Sequence, residues 1–259
     1  SAALAGLLAQ RDRGELRFER LLIETTGLAD PGPVVQTFFW DEALRERFRL
    51  DGVITLIDVC HAARQLDEEP VAAAQVAYAD WLILTKTDLA PCAQLPDRLR
   101  RINARAEILD VGEIDQHWAR LLDTGAFSLN ERGVAPSLWT QTTRRAQPAH
   151  VASTGHSWDD AIRSLVLRQP GALDLAAISA FVDRLIEEHA NDLLRYKGIL
   201  AIAGEERCLI FQGVHRIAGF DYGRPWADDE LRESRIVLIG RDLAEDALRA
   251  DFSATRATI

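Results

Sequence analysis

Three short apolar runs, each stopped by a polar loop, set what this chain can fold into. Leu21 to Ile23 leads into Glu24-Thr25-Thr26-Gly27, the run at 51–59 ends at Asp58, and Trp81 to Leu84 leads into Thr85-Lys86-Thr87-Asp88. Strands that are apolar at nearly every position, not at alternate ones, are buried on both faces, as strands inside a parallel sheet are. Parallel strands need crossovers, and helical segments are predicted at 33–40, 41–48, 70–79, 95–103 and 113–123, with a further strand at 106–111. Proline opens two of these helices, Pro33 and Pro70, at a position where its missing N–H costs nothing. Strand–helix–strand alternation of this kind predicts an α/β domain, a parallel sheet with helices on both faces. A small amphipathic helix is predicted ahead of it at 1–10.

The pattern changes at 131–157, which is polar, rich in turn formers and without a clear period. It reads as a linker between a first domain over 1–130 and a second over 158–259. The second has strands predicted at 164–168, 198–204, 207–217 and 234–240, with helices at 174–195 and 243–252, an α+β pattern.

Bulk properties narrow the function classes. The 259 residues are 47% apolar and 27% charged, enough for a real core. No apolar run of about 18 residues occurs, so no membrane span is expected, and no secretory leader is visible. The net charge of -10 argues against nucleic acid as a partner. Cys60, Cys92 and Cys208 form no CxxC pair, which fits reduced thiols in a cytoplasmic protein. There is no Met, so Ser1 is expected not to be a gene start. Lysine occurs only at Lys86 and Lys197 among 30 basic residues, which marks both positions, because Arg does not replace the compact charge and thin stem of Lys.

Lys86 falls in Thr85-Lys86-Thr87-Asp88, directly after a predicted buried strand, where ligands of open α/β sheets bind. An Asp there can accept both N–H groups on the Watson–Crick edge of guanine, which adenine lacks, and the Lys stem can lie across the base. Many GTPases write this motif N-K-x-D; here Thr85 stands at the Asn place. A polar loop with one exposed Lys and Asp would match equally well, so the motif acquires weight only from its place after the strand. Glu24 also follows a predicted strand, where a carboxylate can hold Mg²⁺ through water. Gly27 leaves its N–H free to approach a γ-phosphate, and the breaker-rich 28–33 can rearrange when that contact is lost. A strand ending in a tight turn explains the same residues.

The remaining candidates have bland readings. Asp58 is expected to cap the next segment, or else to orient a switch loop. Cys60 with His61, and His150 with His156, are thin as metal sites without further ligands. Trp139, Trp158 and Trp226 are expected to serve packing, and Asp67, Glu68 and Glu69 to begin a solvated helix.

Taken together, LLIETTGLADPGPVVQTFF, LDGVITLIDV, YADWLILTKTDL and RINARA, followed by SLVLR, LLRYKGILAI, LIFQGVHRI, GRPW and IVLIGRDL, resemble the CobW family of P-loop GTPases over nearly the whole chain. The resemblance implies an α/β GTPase sheet joined to a C-terminal α+β CobW domain. It implies GTP and Mg²⁺ binding, slow hydrolysis, and delivery of zinc or cobalt to a client metalloprotein, with a homo-oligomer possible. By position, Thr85, Lys86, Thr87 and Asp88 would read guanine, and Glu24 and Gly27 would form the catalytic Mg²⁺ and γ-phosphate switch. Lys197 falls in the family's R-x-K-G pattern. The family's phosphate loop and C-x-C-C metal motif do not occur in this sequence, since neither lysine follows a Gly. The backbone cradle and Lys of that loop are the main phosphate grip. The expectation is therefore an incomplete GTPase sheet, a parent protein that hydrolyses GTP, and a chain that alone does not. The alternative is a non-catalytic binding module acting through the C-terminal domain.

Overall fold

The structure is a computed structural model and describes residues 2–27, 29–91, 93–122, 124 and 162–257. The expected linker, with Trp139, His150 and His156, lies outside the described residues, as do Cys92 and Trp158.

The N-terminal half opens with α1 (Ala2–Asp12), α2 (Gly32–Trp40) and α3 (Glu42–Arg47), followed by β1 (Ile54–Asp58). Then come α4 (Ala62–Glu68), α5 (Pro70–Tyr78), β2 (Trp81–Thr85), α6 (Leu95–Ile102), β3 (Glu107–Asp110) and α7 (Ile114–Leu121). The strands form a parallel sheet in the order β1-β2-β3, with Ile54 opposite Trp81 and Asp58 opposite Thr85. Alternation along the strands divides the core. Ile57, Leu82 and Leu84 face the cluster built with α4, α5 and α6. Trp81, Ile83 and Leu109 face Leu121 and Ile114 of α7. Helices thus cover both faces, as expected. On the α7 side the cover stops short of β1, whose Ile54 and Leu56 stay exposed.

The C-terminal half contributes β4 (Ile162–Pro170), α8 (Leu175–His189), β5 (Leu193–Leu200), β6 (Arg207–Val214), β7 (Ile217–Pro225), β8 (Glu233–Arg241) and α9 (Glu245–Ser253). Its five strands form an antiparallel sheet in the order β4-β8-β5-β6-β7. In β8, Ile236 and Leu238 pack with Phe181, Leu185 and Phe252 of α8 and α9. The intervening Val237 and Ile239 pack with α5 of the other half. Helix α5 lies between two sheets and is buried at Ala73, Ala74, Val76, Ala77 and Tyr78. Its run of alanines lets backbone approach backbone on both sides. The two halves therefore share one core along α5.

Several expected elements need correction. The run at 21–23 is not a strand: Leu22 is 82% and Ile23 45% exposed. A strand persists only by pairing, and β1 pairs with β2 alone, so no described strand lies beside this run. The helix expected over 174–195 ends at His189, because Asn191 and Asp192 turn the chain and β5 begins at Leu193. The single strand expected at 207–217 is a hairpin of β6 and β7, folded at His215-Arg216. Asp67 and Glu68 end α4 instead of beginning a helix; Asp67 accepts from Arg98 at 2.6 Å.

Candidate functional site

The C-terminal ends of β1 and β2 lie side by side and bring Asp58 against Thr85. The Thr85 hydroxyl donates to the Ile57 carbonyl at 3.1 Å and so braces the two ends. The next residue, Lys86, has φ +60°. This left-handed backbone costs a non-glycine residue about 1 kcal/mol and is worth noting where it occurs. It turns the chain at the strand end, and the Leu89 N–H closes the turn on the Lys86 carbonyl at 3.0 Å. The Lys86 side chain returns over the sheet edge, and its Nζ donates to Asp58 Oδ2 at 2.6 Å.

Asp58 is the hub of this corner. Its Oδ1 accepts from the Cys60 N–H at 3.0 Å, and His61 Nδ1 stands 3.3 Å from its Oδ2. The Lys86 bond, helped by Cys60 and His61, holds the Asp58 carboxyl down to about 2 against some desolvation. The same contact raises the Lys86 ammonium above its ordinary value. Asp58 therefore accepts from the turn at Cys60 and also holds Lys86, which the sequence did not reveal; it does not cap α4, whose N-cap is His61 with no side-chain cap bond. Asp88 is exposed, and among the described residues no group donates to its carboxylate. Thr87 lies half-buried between Lys86 and Asp88.

Glu24 and Gly27 lie in the exposed loop ahead of α2. Gln75 of α5 holds this loop: its Nε2 donates to the Gly27 carbonyl at 3.1 Å and to the Ala29 carbonyl at 3.0 Å. A Cβ at Gly27 would meet nothing within 4 Å, so this backbone has open space beside it. Among the described residues no hydrogen bond or ion pair joins Glu24 or Gly27 to the Lys86–Asp58 corner. Sequence reasoning missed Gln75, since a lone Gln on an Ala-rich helix carries no signal. Farther along the same loop, the Asp30 carboxylate accepts from the Gly32 N–H at 2.8 Å. A Cβ at Gly32 would meet Tyr78 Oη at 2.6 Å, so the loop lies directly against α5. Tyr78 Oη hydrogen-bonds His215 Nε2 in the β6–β7 turn of the other half.

Cys60 and His61 adjoin Asp58, but no group of three or more His, Cys, Asp or Glu side chains suited to a metal occurs among the described residues.

A polar Thr-Lys-Thr-Asp loop at the end of a parallel β-strand, in a sheet joined to an antiparallel α+β unit, is the arrangement of a nucleotide-binding domain with an attached second domain. Residues 1–110 match the CobW/HypB/UreG nucleotide-binding domain family, and residues 162–256 match the cobalamin synthesis protein cobW C-terminal domain family. The chain is 42% identical over 255 residues to the zinc chaperone YjiA of Escherichia coli, spanning 98% of this chain and 76% of that protein. Over 117 residues, 43% of this chain and 28% of the relative, it is 39% identical to zinc-regulated GTPase metalloprotein activator 1 of Schizosaccharomyces pombe. It is 29% identical over 270 residues to the zinc chaperone CobW of a Sinorhizobium species. The crystal structure of Zn(II)-bound YjiA GTPase from E. coli superposes with a TM-score of 0.81 at 40% identity, covering 98% of this chain and 76% of that one. The chain belongs to the CobW family of P-loop GTPases.

Proposed function

We propose that this chain carries the guanine-reading corner and the C-terminal domain of a GTP-dependent zinc chaperone that supplies a client metalloprotein. The observation that carries the reading is the pairing of a held lysine with an uncommitted carboxylate. Lys86 is fixed by Asp58, and Asp88 stands exposed two residues farther along the same loop. A carboxylate in that state can accept the two donors of guanine; adenine would leave it facing an acceptor. The names of the relatives, zinc chaperones and zinc-regulated activators, favour zinc over cobalt as cargo.

Glu24 is exposed and engaged by no other described group, so it can serve as one hard oxygen ligand to Mg²⁺ through water. The bound Mg²⁺ would neutralise charge on the phosphates. Gly27 presents backbone with open space beside it, suited to close approach of a phosphate. The phosphate grip itself is proposed to come from a segment outside this sequence, since no G-x-x-x-x-G-K-[ST] occurs in it. Among the described residues β1 has an open edge, with Leu56 68% exposed and no strand beside Leu22, which supports that reading. No described helix is long and apolar enough to cross a membrane. A cytoplasmic setting is proposed from the cysteines alone, three residues in no CxxC pair.

Calorimetry on the protein bearing a phosphate-binding segment tests the reading. GTP should bind at least tenfold tighter than ATP, and Asp88→Ala should abolish the preference. Equal affinity of the unsubstituted protein for the two nucleotides would sink it. The chain as given should show no GTP turnover.

A further inference from the structure

The loop ahead of α2 meets the C-terminal domain through one side chain of α5. Gln75 donates to the carbonyls of Gly27 and Ala29, both from a single amide nitrogen. One helical turn farther on, Tyr78 is fully buried. Gly32 lies so close to it that a Cβ there would stand 2.6 Å from Oη and 3.0 Å from Cζ. The same hydroxyl bonds His215 Nε2 in the turn between β6 and β7, with the two rings 5.9 Å apart. Residues 29–32 and the β6–β7 turn therefore share one phenol, although 137 residues separate Tyr78 from His215.

Both ends of this link are held by contacts that small movements break. The Gln75 bonds, at 3.0 and 3.1 Å, do not survive a displacement of about 1 Å. Ala29 directly precedes Asp30, whose Oδ1 accepts from the Gly32 N–H at 2.8 Å. That carboxylate acts on both Tyr78 and His215, and Arg241 at the end of β8 acts on the same pair with the opposite sign. His215 has left-handed backbone, φ +49°, a strained conformation that persists only where its surroundings hold it. Its N–H donates to the Leu194 carbonyl at 3.3 Å, and the Tyr196 hydroxyl is shared between the His215 and Ile217 carbonyls at 3.2 and 2.8 Å. Loss of the Tyr78 bond leaves a half-buried ring nitrogen without its partner, which favours movement of the turn.

We infer that Tyr78 and His215 form a latch that passes the position of residues 29–32 to the β6–β7 turn, so that a phosphate engaged at Gly27 loosens that turn. The ligand at Gly27 rests on the nucleotide reading proposed above; the link itself rests on the contacts among loop, phenol and turn. The two arrangements differ in named bonds. In the latched one, seen in this structure, Gln75 holds both carbonyls and the phenol holds His215. In the released one those carbonyls face the ligand, Asp30 withdraws from the phenol and the turn relaxes. Coupling of this kind is reciprocal, so loosening the turn also frees the loop.

Hydrogen exchange of the whole chain, read residue by residue by NMR, tests the link without nucleotide. Gln75→Leu and Tyr78→Phe should each speed exchange of the amides at 215–217 about three- to tenfold. Ala203, whose N–H bonds the Leu173 carbonyl at 2.9 Å in the turn at the other end of β6, should keep its rate. His215→Gln should speed exchange at Ala29 and Gly32. Should Tyr78→Phe fail to fold, Gln75→Leu decides, because that side chain is only half-buried. Unchanged rates at 215–217, or an equal rise at Ala203, would overturn the inference. A second arm uses the protein bearing a phosphate-binding segment. GTP should speed the same turn amides, and the effect should shrink in Tyr78→Phe. GTP that binds and leaves the turn amides unchanged would also overturn the inference. Failure of GTP to bind would count against the nucleotide reading instead, with the latch decided by the first arm.

Discussion

Lys86 Nζ donates to Asp58 Oδ2 at 2.6 Å, across the C-terminal ends of two paired strands. A head fixed in this way leaves the four-carbon stem free to cover a base while paying little entropy when one arrives. Asp58→Asn should therefore weaken guanine-nucleotide binding about three- to tenfold, with the melting temperature nearly unchanged because both partners reach solvent. Titration with fluorescent GDP, in the protein bearing a phosphate-binding segment, checks this. The pH dependence follows from the depressed carboxyl. Its contribution is complete above the ordinary value of 3.8 and is lost as pH falls through about 2. Affinity should not change between pH 5 and 8 on account of this pair; a drop by pH 5 that Asp58→Asn removes would contradict the assignment.

Asn103, the Asn of RINARA, is buried and uses its whole amide. Its Nδ2 donates to the carbonyls of Val76, Ala77 and Ala79 at the end of α5, and its Oδ1 accepts from the N–H groups of Arg105 and Ala106. Asn103→Asp would set a carboxylate against three carbonyls. It should cost about 3 kcal/mol or more, lowering Tm by about 6–12 °C. Asn103→Ala should cost less, because it orphans the same groups without adding a charge. Thermal unfolding of the two variants gives the order directly.

How much of this was legible in the sequence depends on where each signal resides. The parallel strands announce themselves through unbroken apolar runs such as Trp81 to Leu84, because burial on both faces constrains every residue. Motif and position together mark Lys86 and Asp88 in the sequence, and the structure puts both in the loop that follows β2. The run at Leu21 to Ile23 misled because apolar composition signals a strand only when a neighbour is there to pair with it. The β6–β7 hairpin was hidden because its two-residue turn is His215-Arg216, with φ +49° at His215, where Asn-Gly or Asp-Gly is the usual signal. The partners Asp58–Lys86, Asp80–Arg195 and Tyr78–His215 lie 28, 115 and 137 residues apart in the chain, and no local pattern records such contacts.

The Tyr78–His215 bond predicts a pH response between the halves. Burial raises the Tyr78 phenol, so its O–H donates to His215 Nε2, while the other ring nitrogen faces the Ala190 carbonyl and carries the proton. Burial, helped by Arg241, pushes His215 below 6.5, while Asp30 and the Ala190 bond oppose that shift. The unfolded chain then binds a proton more readily than the folded one, so this residue costs stability as pH falls below about 6.5. Urea unfolding should give a lower midpoint at pH 5.5 than at pH 7.5. His215→Gln, which has no proton to take up, should narrow the difference. An unchanged difference would assign the loss to other groups.

Gly198 explains the last position of the R-x-K-G run. It stands where β5 crosses β8, and a Cβ there would lie 2.7 Å from the Arg235 carbonyl oxygen and 2.8 Å from Ile236. The obstacle on one side is sheet backbone, which cannot swing away as a long side chain can. Gly198→Ala should cost about 1–3 kcal/mol through displaced packing, read as a fall of about 2–12 °C in Tm. Gly204→Ala provides the comparison, because its Cβ would meet nothing within 4 Å although its φ is +77°. That substitution should cost about 1 kcal/mol in backbone strain. A loss of stability at Gly198 no larger than that at Gly204 would show that the close approach of the β8 backbone adds no cost of its own.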